Sequence, residues 1–414
     1  MSFSLLPGSR DARILVATRS LRAFVDGIAF VALPAYLLAL GFSGLQIGAV
    51  VTSSLLGSAI LTLLTGAWTH RVPPRRLMMA GCALMVASGV ATAWSETFVV
   101  LLLVVGIGTI NASAGDVSPF LPLEQSVMAA SVDDTGRTDA FARFNLAGSL
   151  AGSVGALCAG VPVTVASALG HDAQAGRRGG FLLYAAAGGA AWFAYRRLDR
   201  SADAVAGDSP GRLGPSSRRT VLRLAALFSL DSFGGGFATQ AVFALWVYAR
   251  FDLSTGQLGA VFFAAGILSA FSSLLSASIA RRIGLVRTMV FTHVPASVLL
   301  ILVALSPNAW VAMSLFVLRG LLSQMDVPVR TSYVMAVVQP HERAAAASIT
   351  NVPRSLASAL PPIAAGWMLD RTDVAWPLLI CAACKILYDL LLLAMFANVR
   401  PPEESPGGRH ASPK

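Results

Sequence analysis

The chain is a succession of long apolar runs separated by short polar punctuation. Reading for runs bounded by charge or by Gly/Pro gives twelve, near 20–40, 46–68, 77–94, 98–125, 143–167, 181–195, 221–249, 257–280, 288–305, 309–338, 344–369 and 374–397. About 20 apolar residues let a helix cross the hydrocarbon core. Inside lipid only helices and closed barrels satisfy the backbone, and these runs are too long for barrel strands and lack their alternation. The pattern predicts an all-α integral membrane protein of twelve transmembrane helices. The sixth run, 181–195, is short and rich in Ala and Gly.

Composition agrees: 55% of the 414 residues are hydrophobic and 13% charged, against about a quarter charged in soluble domains. Mean hydropathy is +0.69. The net charge of +10 comes from loop residues and forms no basic domain, so nucleic acid is not expected as a partner. The start, MSFSLLPGSRDAR, has no apolar core followed by a small-residue cleavage site, so no cleavable signal peptide is expected. The four cysteines, Cys82, Cys158, Cys381 and Cys384, all fall in apolar runs. Cys381 and Cys384 have CxxC spacing but no nearby His or acid ligand set, and are read as small packing residues rather than a metal or redox site.

Lys and Arg concentrate in the amino terminus, the even-numbered loops and the carboxyl tail. The odd-numbered loops hold only Arg177, Arg178, Arg250 and Arg371. The positive-inside rule then puts both termini in the cytoplasm. The Gly/Pro/Ser-rich stretch SADAVAGDSPGRLGPSS at 201–217 reads as a flexible linker and prompts a search for a repeat. LQIGAV at 45–50 falls on GQLGAV at 256–261, and HRVPPR at 70–75 on RRIGLV at 281–286 with the same offset. PLEQS at 122–126 falls on PVRTS at 328–332, Asn145 on Asn351 and Gly160 on Gly366 with an offset only slightly smaller. The domain expectation is a six-helix bundle over 1–200, a linker over 201–218, a second bundle over 219–398 and a tail over 399–414, in parallel repeat.

Those motifs carry a resemblance. FVDGIAFVALPAYLLALGFSGLQIGAV resembles the major facilitator superfamily pattern of an acid, a proline and G-x-S-x-x-Q-x-G opening the second helix. GAWTHRVPPRR (66–76) and ASIARRIGLVR (277–287) resemble its basic loop between helices two and three, with His70 and Arg281 where the family has an aspartate. Pro340, Glu342, Arg343 and Ala346 are similar to its P-x-E-R-x-x-A hairpin, and Arg319 in LFVLRG stands where the family often has an embedded arginine. The resemblance covers 14–397 and implies two pseudo-symmetric six-helix bundles, alternating access, and a cavity lined by helices one, four, seven and ten. GSLAGSVGALCAGVP lacks the Gly-Pro pair that marks the family's antiporters. The spacing of Gly148, Gly152 and Gly155 permits close helix packing.

An ionisable group inside a span costs several kcal/mol, with estimates starting at about 2.5, unless it is paired or wet. Arg319, Ser323, Asp326 and Arg330 share one face of the tenth helix by their spacing. Arg319 is read either as a cavity residue touching an anionic solute group or as half of an ion pair, and Asp326 with Arg330 as an i,i+4 pair. Asn111, Asp116 and Glu124 lie in the fourth helix. The repeat puts Glu124 opposite Arg330, which predicts a cytoplasmic-end bridge between the halves. Arg22 and Asp26 are four apart, so a local pair competes with a proton-carrying role for Asp26. Asp231 precedes Gly234, Gly235 and Gly236, which permit a bend beside the acid. Lys385 and Asp389 read as a structural i,i+4 pair, His293 as a packing residue, and Arg143 and Arg354 as helix-end residues. His341–Arg343 reads as the cap of the helix that follows it.

No nucleotide-binding P-loop, metal cluster or nucleophile constellation can be assembled, so neither an enzyme nor a cofactor is expected. The function expected is proton-coupled efflux antiport of a small organic solute, with uptake symport as the alternative and a non-transporting sensor behind both. Asp26, Asp231 and Asp116 are the proton-coupling candidates. Arg319, Asn111, Asp326, Ser323 and Gln240 are the cavity candidates, and Glu124, Arg330, Arg71, Arg282 and Arg343 the cytoplasmic gate candidates. The partners expected are the lipid bilayer, protons and a small-molecule substrate, for a monomer. All but two of the 31 basic residues are arginine, the exceptions being Lys385 and Lys414, which with the alanine content points to a high-G+C bacterium and its inner membrane.

Overall fold

The computed structural model describes residues 9–69, 71–113, 118–132, 134–199, 214–339 and 342–396, without side chains at 134–138, 215–216, 273–274, 277 and 344. Asp116, His70, Pro340, His341 and most of the linker and tail lie outside the described residues.

The first-half helices are α1 (Arg10–Ala39), α2 (Gly44–Trp68), α3 (Pro74–Trp94), α4 (Phe98–Ile107), α5 (Phe120–Ser131), α6 (Asp134–Leu157), α7 (Val161–Ala168) and α8 (Ala173–Tyr195). They are followed by α9 (Pro215–Gly236), α10 (Gln240–Phe251), α11 (Thr255–Ile283), α12 (Leu285–Leu305), α13 (Ala309–Ser323), α14 (Asp326–Ala336), α15 (Arg343–Ala359), α16 (Pro361–Leu369) and α17 (Trp376–Phe396). Each of the twelve apolar runs is filled by one helix or by two in succession. No strand occurs among the described residues. Nine helical stretches among them are long and apolar enough to cross a membrane.

The repeated motif has a structural reason. Ser43 Oγ accepts from Gln46 N (3.3 Å) while Gln46 Oε1 accepts from Ser43 N (2.9 Å). Ser254 and Gln257 make the same reciprocal pair at 3.2 and 2.9 Å. Each is a capping box that satisfies orphan donors at the start of the second helix of its half. The small-residue spacing also has one. A Cβ on Gly155 would run into the Phe24 carbonyl, and one on Gly27 would lie 2.8 Å from Ala156 N. Backbone contact between α1 and α6 therefore needs glycine on both sides.

Among the described residues the fourth, seventh and tenth runs are interrupted, at 108–113 and 118–119, at 237–239 and at 324–325. The seventh breaks directly after the three glycines. Backbone freed inside a membrane must find partners, and those at the first break are specific. Ser54 Oγ donates to Ile110 O (2.6 Å) and accepts from Ala112 N (3.3 Å), and Tyr184 Oη donates to Thr109 O (2.6 Å). Thr239 Oγ1 caps α10 through Val242 N at 3.3 Å.

By contact the chain divides into two compact units. One holds Met1–Gly207, Thr239–Gly266 and Pro362–Arg371; the other holds Asp208–Ala238, Ile267–Pro361 and Thr372–Lys414. The first has a core around Leu15, Met78, Cys82, Phe120, Phe144 and Tyr195. The second has a core around Val221, Phe228, Met289, Tyr333, Tyr388 and Leu392. Within the first unit, Asp370 receives Gly44 N (2.6 Å) and Leu45 N (2.7 Å), so a carboxylate seated beyond α16 closes the amino terminus of α2.

Candidate functional site

Two polar assemblies stand out, one in each unit. In the first, Arg22 on α1 reaches Glu124 on α5 at 2.5 Å, with 3% and 0% of their side chains exposed. Glu124 also accepts from Tyr195 Oη (2.7 Å) and Thr18 Oγ1 (3.4 Å). The guanidinium lies 3.9 Å from the Phe120 ring centroid. Burial of so many apolar neighbours would be prohibitive for either ion alone; paired and hydrogen-bonded, the two are held.

Beside this pair lies a narrow cleft of about 10 Å³, room for about one water molecule. Its polar lining includes Arg22, Asp26, Ser58, Thr109, Asn111 and Tyr184. Asp26 is half-buried there, and among the described residues no Lys, Arg or His lies within 4 Å of its carboxylate. The local Arg22–Asp26 pair weighed from the sequence is thus not made, because Arg22 turns to Glu124, an acid more completely enclosed. Asn111 Oδ1 accepts from Ser113 N (3.0 Å), and Ser113 Oγ donates to Gln240 Oε1 (3.2 Å).

In the second unit, Asp231 on α9 is bound on one oxygen by Lys385 Nζ (2.7 Å) and on the other by Arg330 (3.3 Å). Arg330 also holds Asp326 at 3.3 Å, the i,i+4 pair expected from the sequence. Within its own unit Glu124 is held by Arg22, and within its own unit Arg330 is held by Asp231 and Asp326. Two other expectations, the Lys385–Asp389 pair and the packing role of His293, are corrected here. Lys385 and Asp389 do not pair along α17: Lys385 reaches Asp231, and Asp389 faces His293 Nδ1 at 3.1 Å. His293 is therefore part of a charge network rather than simple packing. An i,i+4 contact is worth only about 0.2–0.5 kcal/mol, so an enclosed partner on a neighbouring helix prevails.

Arg319 lies on α13, half-buried, with its Nε enclosed and without a hydrogen-bond partner. No carboxylate among the described residues is within 4 Å of it. Ser323 is half-buried at the end of the same helix. Arg71, Arg282 and Arg343 are exposed, and Arg343 Nε donates to Met335 O at 3.3 Å. Arg143 pairs with Asp139 at 2.5 Å, and Arg354 Nε donates to Ser232 Oγ at 3.0 Å.

Sequence reasoning missed the role of Glu342. Its side chain makes no cap on α15. It reaches instead to the start of α9, receiving Gly214 N (2.5 Å) and Ser217 Oγ (2.6 Å), and also accepts from Gln339 N at 3.2 Å. A glutamate at a helix amino terminus is stabilised by the free N–H groups and the dipole; only its distance in sequence hid the pairing.

Comparison with known proteins agrees with this architecture. The family model described as Major Facilitator Superfamily matches residues 15–301 and 225–414. The uncharacterized membrane protein YJR124C of Saccharomyces cerevisiae is 25% identical over 443 aligned positions, covering 97% of each chain. The nucleoside transporter NupG superposes with a TM-score of 0.70 at 16% identity over 94% of this chain and 99% of that one. A bacterial homologue of the lysosomal transporter Spinster, inward-facing and occupied, gives 0.71 at 14% identity over 93% and 95%. A bacterial homologue of the iron transporter ferroportin, also inward-facing, gives 0.70 at 14% over 93% and 98%. At these identities the structural likeness is one of fold.

Proposed function

Because the chain belongs to the major facilitator superfamily, and so is a membrane transporter of some solute rather than an enzyme, we propose that it is a proton-coupled antiporter exporting a small polar organic solute. The observation that carries this reading is the cleft carboxylate of Asp26, half-buried among hydroxyl and amide groups with no protein cation within 4 Å among the described residues. A buried carboxylate needs a counter-charge or a proton. If a solute group and a proton compete for that one carboxylate, each leaves as the other arrives, and exchange is obligatory. Asp231, already held by Lys385 and Arg330, serves as an anchor rather than the carrier. Arg319 supplies a second recognition group, for an anionic or polar part of the solute.

The reading extends to setting. The asymmetry of basic loop residues supports cytoplasmic termini, and the arginine-rich, lysine-poor composition supports a bacterial cytoplasmic membrane. The protein works as a monomer, one half rocking against the other between access states. Uptake symport is the second reading, favoured by the missing Gly-Pro pair in GSLAGSVGALCAGVP.

Proteoliposomes with a trapped pH dye separate the two. A panel of labelled polar solutes, nucleosides first because NupG is described as a nucleoside transporter, identifies a solute that exchanges. Added outside, that solute makes the lumen alkaline under antiport and acid under symport. Asp26→Asn abolishes the solute-driven proton flux and, because the solute shares that carboxylate, solute–solute exchange with it. An unchanged proton flux in that variant refutes the assignment of Asp26.

A further inference from the structure

The second-unit network contains a group for which the transport reading has no use so far. His293 on α12 is 3% exposed and stands between two charges. Its Nδ1 lies 3.2 and 3.1 Å from the two oxygens of Asp389, and its Nε2 lies 3.4 Å from Lys385 Nζ. Asp389 is fully buried. Lys385 in turn donates to Asp231 Oδ1, an atom 3.8 Å from His293 Nε2. The ring, the ammonium and one carboxylate oxygen therefore form a triangle, with Asp389 behind the ring.

Every helix packed on the ring contributes to its field. From α14 come Asp326 and Arg330, the latter on the other oxygen of Asp231. From α13 comes Arg319. From α17, besides Lys385 and Asp389, come Cys381, Cys384 and Tyr388, whose ring meets the imidazole edge-on at 6.0 Å. Arg223 on α9 and Arg287 on α12 itself are exposed.

An ammonium has only donors, and a ring nitrogen that carries hydrogen cannot accept from it. The arrangement therefore fits neutral imidazole, with Nδ1–H donating to Asp389 and the Nε2 lone pair facing Lys385. A proton arriving from solvent has one place to bind on the ring, Nε2. Binding removes Lys385's acceptor, sets two donors and two positive charges 3.4 Å apart, and leaves both competing for Asp231 Oδ1. We propose that His293 is a proton-binding switch: protonation passes Asp231 from Lys385 to His293 and releases the Lys385 ammonium, and deprotonation returns it. Lys385 is the most exposed member at 12%, so it is the group able to move. The switch adds a second proton site to that of Asp26 and rests on the proton-coupled reading only for its use, not for its existence.

The test needs no solute. Protein labelled with ¹⁵N-histidine is placed in lipid nanodiscs, and ring nitrogen shifts are followed with pH; the His293 signals are those lost in His293→Gln, or in His293→Asn if the first does not fold. The expected result is the Nδ1–H tautomer at the alkaline end of the pH series, with a proton added at Nε2 as the pH is lowered across it. Lys385→Met is expected to raise the proton affinity of His293 at least tenfold. An Nε2–H tautomer in the unsubstituted protein overturns the proposal, as does a ring that stays neutral across that range or an affinity unmoved by Lys385→Met. Proton-coupled transport with a silent His293 would leave Asp26 standing and remove the switch alone.

Discussion

Removing Arg22 tests how the first unit tolerates charge in its core. Arg22→Met keeps volume and helix propensity but leaves Glu124, with no exposed surface, supported by Tyr195 and Thr18 hydroxyls alone. Breaking a buried pair from one side costs about 3–5 kcal/mol, and the glutamate can limit the loss by taking a proton, which places the expectation at the lower end. Glu124→Gln should cost less, because the stranded guanidinium can swing to Asp26, one helical turn along α1 and lacking a cation within 4 Å among the described residues. The double variant should recover most of the loss. Cys82 reports the result directly, being fully buried in the same core cluster as Phe120 and Tyr195. With Cys158, Cys381 and Cys384 replaced by Ala, thiol labelling at Cys82 under native conditions measures local opening. At 1.36 kcal/mol per tenfold, Arg22→Met should speed labelling about a hundredfold. Single-variant accelerations below about threefold, or a double variant equal to the sum of the singles, would refute the reasoning, since coupled partners cannot be additive.

Gly27→Ala drives a methyl into the α6 backbone at Gly152 and Ala156; overpacking of about 1–3 kcal/mol should lower the thermal midpoint in detergent, and an unchanged midpoint would mean the helices do not touch there. Asp370→Ala removes both carboxylate acceptors from Gly44 and Leu45, a cap worth about 0.5–2 kcal/mol, so hydrogen exchange at those two amides should quicken about tenfold with little change elsewhere in α2. Glu342→Gln should loosen the first turn of α9, read by exchange at Gly214. Arg319→Ala should abolish solute exchange with normal expression, whereas transport at the unsubstituted rate would remove Arg319 from the solute path.

Which parts of this structure were legible in the sequence follows from what each signal measures. Run length and loop charge report on single segments, so the twelve spans could be read from them, while short local motifs carried the resemblance to the family. Gly234–Gly236 announced the break after α9, because glycine lowers the cost of leaving the helix. The stretch between α4 and α5, GTINASAGDVSP, is itself full of Gly, Asn, Asp, Ser and Pro, but groups that hold its backbone lie outside it. Its stability comes from Ser54 and Tyr184, residues of other helices, and no local pattern contains them. The same limit explains the ion pairs. Periodicity shows which residues share a face of their own helix, so it offered Arg22 with Asp26 and Lys385 with Asp389, while the partners chosen lie across helix boundaries.

The internal repeat held more than was taken from it. Glu124 over Arg330 was read as opposite charge at related positions, hence a bridge between halves. Opposite charge at one related position fits a second explanation equally: an ion pair within each half, with both members swapped. The deciding residues are those on the first helix of each half. Arg22 lies there in one and Asp231 in the other, again opposite in sign. In each half the charge on the first helix faces an opposite charge on a later helix, with the polarity of the pair reversed between the halves. Arg22–Glu124 and Asp231–Arg330 are that pair. Each guanidinium even keeps an aromatic neighbour, Phe120 in one half and Phe228 in the other. Since removing one member leaves the other buried and uncompensated, the two members of each pair depend on one another. Charge reversal of both members in one half should therefore be tolerated where reversal of either alone is not.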